Sequence, residues 1–395
     1  MAEFDFDTVI ERRGSGALKY DELGNRYGNP DLLPLWVADM DFAVPPAVTK
    51  ALVDRMMHPI YGYAAPTPAY WQSIIGWLKR RHDFDVTTDE LRYIPGVVKG
   101  IGFVVNYFTR PGDKVLIQPP VYHPFRLVPQ DNGRKIVENP LLFDGSSYRM
   151  DLDGLAEVVE REKPRLMILC NPHNPIGLQW DADTLRRVAE ICHKAGVIVI
   201  SDEIHSDLML WGKKHVTFAS VSPEAAEISI TMGAPSKTFN IAGLVSSWVI
   251  IKNPELREGF FGWMRANEFD DPTFVATIAT EAAYNHGGEW LDQLISYLEG
   301  NVVAVEEYLA AEIPSIKAIR PEASFLLWLD CRALGLSHDE LNALFVDKAG
   351  LALNDGEMFG REGAGFMRFN IGAPRSVILK ALARLKSAVD SLPRK

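Results

Sequence analysis

The stretch Ala234-Pro235-Ser236-Lys237-Thr238-Phe239-Asn240-Ile241-Ala242-Gly243 follows the apolar run Ile228 to Met232 and is rich in small residues. The run predicts a buried strand, and Lys237 would lie just beyond its end. In poor solvent the ammonium form of a lysine is disfavoured, so the amine becomes a nucleophile. Most lysines are solvated surface charges, however, so the importance of Lys237 depends on the residues that accompany it.

Two further polar residues also follow apolar, strand-like runs. Asn174 follows Leu166 to Cys170, and Asp202 follows Val197 to Ile200. An amide, a carboxylate and an amine at successive strand ends are the groups that a pyridoxal 5′-phosphate (PLP) site requires. Asn174 would bind the ring hydroxyl oxygen, Asp202 would keep the pyridine nitrogen protonated, and Lys237 would form the Schiff base.

Short runs rich in β-branched residues alternate with helical patterns along most of the chain. These runs are Lys114 to Ile117, Arg165 to Cys170, Gly196 to Ile200, Ile228 to Met232 and Ser247 to Ile251. Near-continuous apolar strands are typical of a mostly parallel sheet that helices cover on both faces. In open α/β sheets, ligands bind at the carboxyl ends of the strands. The sequence therefore predicts an α/β fold with the three polar residues at one edge of its sheet.

The pattern changes near residue 290, where a long helix, Trp290 to Ala311, precedes the strand Ser324 to Leu329. This order of elements predicts a smaller α+β domain, which the amino-terminal segment completes. A chain of 395 residues is long enough for two domains. We predict a large domain over residues 46–288 and a small domain over residues 1–45 and 289–395.

The composition indicates a cytoplasmic enzyme. The chain has 41 basic and 52 acidic residues, a formal net charge of −11, which argues against binding to nucleic acid or an anionic membrane. Cys170, Cys192 and Cys331 show no CxxC pair, so we interpret them as reduced packing residues and expect no metal site. The acidic amino terminus lacks the apolar core of a signal peptide, and no apolar run reaches membrane-spanning length.

The chain also resembles a known family over nearly its whole length. The segments that carry the resemblance are Asp31 to Phe42 (DLLPLWVADMDF), Tyr61-Gly62-Tyr63, Asn171 to Gly177 (NPHNPIG), Asp202 to His205 (DEIH), Pro235 to Asn240 and Arg368 to Arg375 (RFNIGAPR). They resemble the fold-type I PLP enzymes of the aminotransferase class I/II superfamily. Within it they resemble the cystathionine β-lyase/C–S lyase group, the MalY-, PatB- and cystalysin-like enzymes. DLLP, ADMDF and DEIH are specific to that group.

The resemblance implies an aspartate-aminotransferase-like fold, an amino-acid substrate and a homodimer with shared active sites. The turn Pro95 to Gly100, between the strand Leu91 to Ile94 and a helical run, is then a candidate phosphate site. Amide groups at a helix amino terminus favour an anion. The alternative is an ordinary strand–helix turn. With the three strand-end residues beside it, Val97, Val98 and Lys99 become candidate phosphate contacts.

The predicted phosphate site is incomplete within one chain. Ser236, beside Lys237, can add a hydroxyl, but the superfamily often has another serine or threonine three residues before the lysine, where this chain has Ala234. No downstream phosphate-binding arginine is evident. The resemblance suggests that Tyr63 supplies the missing donor from the partner subunit of a dimer.

Three further contacts are predicted around the cofactor and substrate. Tyr122, in a proline-rich loop, resembles the residue that stacks on the PLP ring, although a surface loop tyrosine is the alternative. Arg368 is a bidentate partner for a substrate α-carboxylate, with Arg375 as a competitor that we interpret as structural. By resemblance, the backbone near Ala38 and the amide of Asn174 also contact that carboxylate.

The residue three positions after Asp202 separates two reactions. Transaminases of the superfamily usually have tyrosine there, whereas this chain has His205, as the C–S lyases do. We interpret His205 as an accessory residue at the cofactor oxygen; the alternative is a buried histidine bonded to the backbone. His123 and His173 are weaker candidates.

The sequence therefore predicts a PLP-dependent C–S β-lyase that acts on cystathionine or another cysteine S-conjugate. Lys237, Asp202 and Tyr122 are the predicted catalytic residues. One alternative is an aminotransferase that uses the same site. The other is a regulatory binding protein, for which substitutions at Lys237, Asp202, Asn174 or Arg368 would be expected; all four are intact. A regulatory role beside catalysis stays open.

Overall fold

The computed structural model describes residues 3–393, which form alternating strands and helices. The strands are β1 (Leu33–Pro34), β2 (Leu91–Ile94), β3 (Lys114–Ile117), β4 (Lys135–Glu138), β5 (Leu142–Phe143), β6 (Tyr148–Arg149), β7 (Leu166–Cys170), β8 (Ile198–Asp202), β9 (Ser229–Gly233), β10 (Ser247–Ile250), β11 (Lys317–Ile319), β12 (Leu326–Asp330), β13 (Leu351–Ala352), β14 (Asn354–Asp355) and β15 (Phe366–Asn370). The α-helices are α1 (Leu18–Asp21), α2 (Leu23–Tyr27), α3 (Pro46–Met56), α4 (Pro68–His82), α5 (Val97–Phe108), α6 (Pro124–Asp131), α7 (Leu152–Glu162), α8 (Ala182–Ala195), α9 (Pro223–Ile228), α10 (Pro235–Thr238), α11 (Pro254–Ala266), α12 (Phe274–His286), α13 (Gly288–Glu312), α14 (His338–Ala343) and α15 (Arg375–Asp390).

The largest sheet has seven strands in the order β2-β10-β9-β8-β7-β3-β4. Strand β10 is antiparallel to both neighbours, and the remaining pairs are parallel. Cys170 pairs with Asp202, and Asp202 pairs with Met232. The carboxyl ends of β7, β8 and β9 therefore lie side by side, which confirms the predicted mostly parallel α/β sheet.

Helices cover both faces of this sheet because its central strands are apolar on both sides. In β7, Met167 and Leu169 face a core that includes residues of α7 and α8. Leu166, Ile168 and Cys170 face the opposite core, with residues of α5 and α11. Successive strand residues point to opposite faces, so one apolar run serves two cores. The result is the predicted three-layer arrangement.

A second, antiparallel sheet has the order β11-β12-β15-β14. Its register places Trp328 opposite Arg368. The amino-terminal strand β1 pairs with β13, Leu33 opposite Leu351, so this early segment contacts the carboxyl-terminal third of the chain. The division at residues 45/46 and 288/289 remains a prediction.

Within residues 3–393, the helices include none with the length and apolar character needed to cross a bilayer.

Candidate active site

A cavity of about 320 Å³ lies at the aligned ends of β7, β8 and β9. The predicted site residues that line it are Ala38, Val97, Val98, Lys99, Tyr122, Asn174, Asp202, His205, Ser236 and Lys237. Arg368 reaches this group through a hydrogen bond to Asn174, 3.0 Å from Nη1 to Oδ1. Tyr63 is fully exposed and does not line the cavity of its own chain.

Lys237 lies in the short helix α10, four residues beyond the end of β9. Its Nζ donates a hydrogen bond to the carbonyl oxygen of Ala38. Burial lowers the pKa of Lys237 to about 8, and the charge of Arg368 acts in the same direction, against the carboxylates of Asp39 and Asp202. The free amine is thus accessible near neutral pH, as a nucleophile or a general base requires.

Asp202 is the last residue of β8, and its side chain is buried. Its Oδ1 accepts a hydrogen bond from the Ile204 N–H at 3.1 Å. Burial raises the pKa of Asp202 to about 7, although that hydrogen bond and the charge of Lys237 oppose the rise. A buried carboxylate in this position fits a cationic partner, because a nearby positive charge stabilises the ionised form. A protonated pyridine nitrogen is such a partner.

The turn before α5 presents backbone donors to the same cavity. Gly100 N–H is bonded to Gly96 O at 2.9 Å, so the N–H groups of Val97, Val98 and Lys99 precede the first intrahelical bond. Gly96 has a φ of +113°, a backbone conformation that residues other than glycine rarely adopt. These amides, with the nearby hydroxyl of Ser236, fit an anion such as a phosphate.

Arg368 lies in β15 with its guanidinium buried. It donates to Asn174 Oδ1 at 3.0 Å, Trp36 O at 2.9 Å and Asn354 Oδ1 at 2.6 Å, and it lies 5.0 Å above the ring of Phe359. Burial lowers its pKa to about 10, so it stays cationic at neutral pH. Among the described residues its Nε has no hydrogen-bond partner. A carboxylate can accept from that donor.

Tyr122 and His205 line the cavity on loops that follow β3 and β8. The Tyr122 N–H donates to the carbonyl oxygen of Asn174 at 3.1 Å, which joins the loop after β3 to the loop after β7. Burial raises the pKa of the Tyr122 hydroxyl. His205 Nδ1 lies 3.1 Å from Ser324 Oγ, and burial lowers the His205 pKa to about 3, so the ring is neutral.

Arg375 does not line the cavity; its Nε donates to Asn301 and its guanidinium lies over the ring of Tyr297. His123 and His173 are also absent from the cavity wall. Pro95 and Gly96, from the predicted phosphate turn, also line the wall. Sequence reasoning missed several other wall residues, namely Cys170, Ile204, Ala242, Val245, Ser246 and Ser247. Cys170 ends β7, and its Sγ accepts the Asn174 N–H at 3.3 Å. Its strand-end position was the signal that could have indicated it.

The structure brings a lysine, a buried carboxylate and a helix amino terminus together at the strand ends of a three-layer α/β fold. This arrangement is typical of the fold-type I class of PLP enzymes. The model of the family "Aminotransferase class I and II" matches residues 30–385, and the chain belongs to this family. It is 44% identical to cystathionine beta-lyase PatB of Bacillus subtilis over 386 residues, 98% of this chain and all of PatB.

Two solved structures resemble the protein over nearly its whole length. One is PLP-containing cystalysin from Treponema denticola, with a TM-score of 0.95 and 36% identity over 99% of this chain and all of cystalysin. The other is the PLP-bound C-S lyase from Staphylococcus hominis, with a TM-score of 0.92 and 32% identity over 98% of each chain.

Asp202→Asn is expected to stabilise the cofactor-free protein in a pH-dependent way. The carboxyl has a pKa of about 7 in the folded state, against 3.8 for an unperturbed aspartate, so it ionises at lower pH in the unfolded chain. Ionisation of Asp202 therefore lowers the free energy of unfolding progressively from about pH 4 to about pH 7. Above about pH 7 the full destabilisation is present. We expect the melting temperature of the variant to exceed that of the native protein by about 2 °C or more at about pH 8, and by less at about pH 5.

Thermal unfolding followed by intrinsic fluorescence measures this difference. The exposed carboxylate variant Asp271→Asn is the control and should show no comparable gain. A melting temperature for Asp202→Asn that is lower than native at the higher pH would contradict the account.

Proposed function

We propose that this protein is a PLP-dependent C–S β-lyase that cleaves cystathionine, or a related cysteine S-conjugate, to pyruvate, ammonia and a thiol. The observation that carries the proposal is the cavity that joins Lys237, Asp202 and His205, in a chain 44% identical to an enzyme named cystathionine β-lyase. The histidine favours a lyase because transaminases of the superfamily usually have tyrosine at that position.

The cofactor is PLP, and the cavity offers a partner for each of its polar groups. Lys237 would bind the aldehyde carbon, Asp202 the pyridine nitrogen, and Asn174 the ring hydroxyl oxygen. Val97, Val98, Lys99 and Ser236 would hold the phosphate, with Tyr122 against one face of the ring and His205 near the ring oxygen. When bound, PLP supplies an electron sink for negative charge at the substrate Cα.

The substrate would be held by its α-carboxylate. Arg368 is the cationic partner, and its unpaired Nε supplies a donor, with Asn174 and the backbone near Ala38 beside it. Lys237, whose pKa is lowered to about 8, takes the Cα proton as general base. The departing thiolate sulfur then receives a proton from Lys237 Nζ or from a tyrosine hydroxyl, that of Tyr122 or Tyr63. The three-carbon enamine that remains is released and reacts with one water molecule to give pyruvate and ammonia.

Pyruvate formation without an acceptor distinguishes the proposal from its main alternative. An aminotransferase would use the same residues, and the family name covers that activity. We expect purified protein supplied with PLP and L-cystathionine to release pyruvate and a free thiol at the same rate with or without α-ketoglutarate. A lactate dehydrogenase-coupled assay follows pyruvate, and a thiol reagent follows the thiol. Product formation only in the presence of α-ketoglutarate would establish the aminotransferase instead.

We also propose a homodimer in which Tyr63 of each subunit completes the phosphate site of the other. The segment 53–63 supports this assembly because six of its large apolar side chains are exposed. They are Val53, Met56, Met57, Ile60, Tyr61 and Tyr63. Exposed apolar patches of this kind mark protein–protein interfaces.

Mixed dimers test the shared site. One subunit carrying Lys237→Ala and one carrying Tyr63→Ala should rebuild one site with both native residues, because an isologous dimer exchanges the tyrosines symmetrically. We expect about half the native activity per mixed dimer, from two inactive parents. Differently tagged subunits, purified in tandem and assayed for pyruvate, provide the measurement.

The matched control combines a native subunit with a Lys237→Ala/Tyr63→Ala subunit. If Tyr63 acts in the partner's site, every site of this dimer lacks one residue and the activity is lost. If Tyr63 acts in its own subunit, the control dimer keeps half the activity and the first mixture has none, which would refute the shared site.

We further propose that the protein works in the cytoplasm. Its three cysteines are buried and unpaired, as expected in a reducing compartment.

A further inference from the structure

The residue after Lys237 has a buried hydrogen bond that the proposed chemistry does not use. The hydroxyl of Thr238 is buried, and its Oγ1 donates to Asp207 Oδ2 at 2.7 Å. Asp207 lies on the loop that follows β8, five residues beyond Asp202. This bond therefore joins the segment that carries Lys237 to the loop that directly follows Asp202.

The Asp207 carboxylate accepts hydrogen bonds from three side chains. Its Oδ1 also accepts from Trp77 Nε1 at 2.9 Å and from His82 Nε2 at 2.7 Å, both on α4. The side chains of His82 and Asp207 are each only 5% exposed. Although burial acts to raise the Asp207 pKa, the bonds from His82, Thr238 and Trp77 hold it below its usual range. The group is therefore an anchored carboxylate.

Lys237 depends on such an anchor because its own helix is short. The helix α10 has four residues, too few to be stable without tertiary contacts. The Lys237 side chain donates to the carbonyl oxygen of Ala38 at its far end, and the residue lines the cavity. The hydrogen bond of Thr238 is a directional contact at the base of the lysine, so it can set where the ε-amine points.

We propose that Asp207 is a positioning residue that, through the hydroxyl of Thr238, holds the Lys237 amine in line with the substrate Cα. The inference rests on the proposed function, since it requires Lys237 to carry the cofactor. A purely structural role for the same bond is the competing explanation. In that case its loss would lower stability and leave the chemistry of the bound cofactor unchanged.

Three substitutions in the PLP-loaded enzyme separate these explanations. Thr238→Val keeps the shape and removes the donor, Thr238→Ser restores the donor, and Asp207→Asn removes the charged acceptor. The matched control is Thr109→Val, at the far end of α5, which removes a buried hydroxyl that bonds to Val105 and Arg134. The readouts are kcat and KM for L-cystathionine, visible-range circular dichroism of the bound cofactor, and the melting temperature.

We expect Thr238→Val and Asp207→Asn each to lower kcat about 10- to 100-fold with KM changed less than about threefold, because misplacement of a reacting group acts on the chemical step. Their visible circular dichroism band should weaken or shift. Thr238→Ser should retain both properties. The double variant should have a kcat no lower than the more impaired single variant, since both changes act on the hydrogen bond between Thr238 and Asp207. Thr109→Val should lower the melting temperature alone.

Native kcat and native circular dichroism in Thr238→Val would overturn the inference, and so would a Thr238→Ser variant as impaired as Thr238→Val. If Thr238→Val does not fold, the same readouts on the isosteric Asp207→Asn decide the matter. Failure of the proposed function looks different, because the native protein itself would then show no PLP band or no pyruvate release.

Discussion

Lys237→Ala is expected to lower pyruvate release at least about 1,000-fold, because it removes the cofactor anchor and a general base, which alone contributes about 10²- to 10⁴-fold. The cavity provides the physical reason. Burial lowers the pKa of this amine to about 8, so a larger fraction of it is free near neutral pH than of a water-exposed lysine. Steady-state assays with L-cystathionine at saturating PLP provide the measurement.

Lys194→Ala, at an exposed position near the end of α8, is the control and should keep native activity. The Lys237→Ala protein should also fail to form an adduct with PLP that borohydride can reduce. Native turnover in Lys237→Ala would remove this residue from the mechanism altogether.

Asp202→Ala is expected to lower kcat by about 100-fold or more, in line with the loss of one preorganised electrostatic contact, while part of the PLP stays bound. The carboxylate has no role in the covalent anchor, but it is the buried charge that fits the pyridine nitrogen. PLP content after alkaline release, measured beside kcat, separates the two effects.

Asp202→Asn refines this test because it preserves shape and removes charge. We expect it to lose kcat nearly as severely as Asp202→Ala. Turnover close to native in either variant would show that the ring nitrogen needs no carboxylate.

Much of the fold could be predicted from the sequence because the buried strands are short, near-continuous apolar runs. The run Lys114 to Ile117 is β3 itself, and the helix predicted over Trp290 to Ala311 lies within α13. The strand predicted at Ile228 to Met232 is shifted by one residue, to Ser229–Gly233, since Ile228 ends α9. The reversed direction of β10 was not predicted, because strand direction depends on its neighbours and leaves no local pattern.

The candidate site could be predicted where its residues follow strands directly. Lys237, Asp202 and Asn174 were found in this way, and they line one cavity. Contacts between distant segments leave no such signal. The bonds of Asp207 to Thr238, 31 residues away, and to His82, 125 residues away, became visible only in the folded chain.

Mapping of the PLP attachment point tests the central claim most directly. The native protein is reduced with borohydride in the presence of PLP, digested, and examined by tandem mass spectrometry. We expect the cofactor-derived mass on the peptide that contains Lys237, with stoichiometric yield and no comparable label elsewhere. Lys99 is the other lysine in the cavity wall and is the built-in comparison. A label on Lys99 or on a lysine outside the cavity, with Lys237 unmodified, would contradict the account.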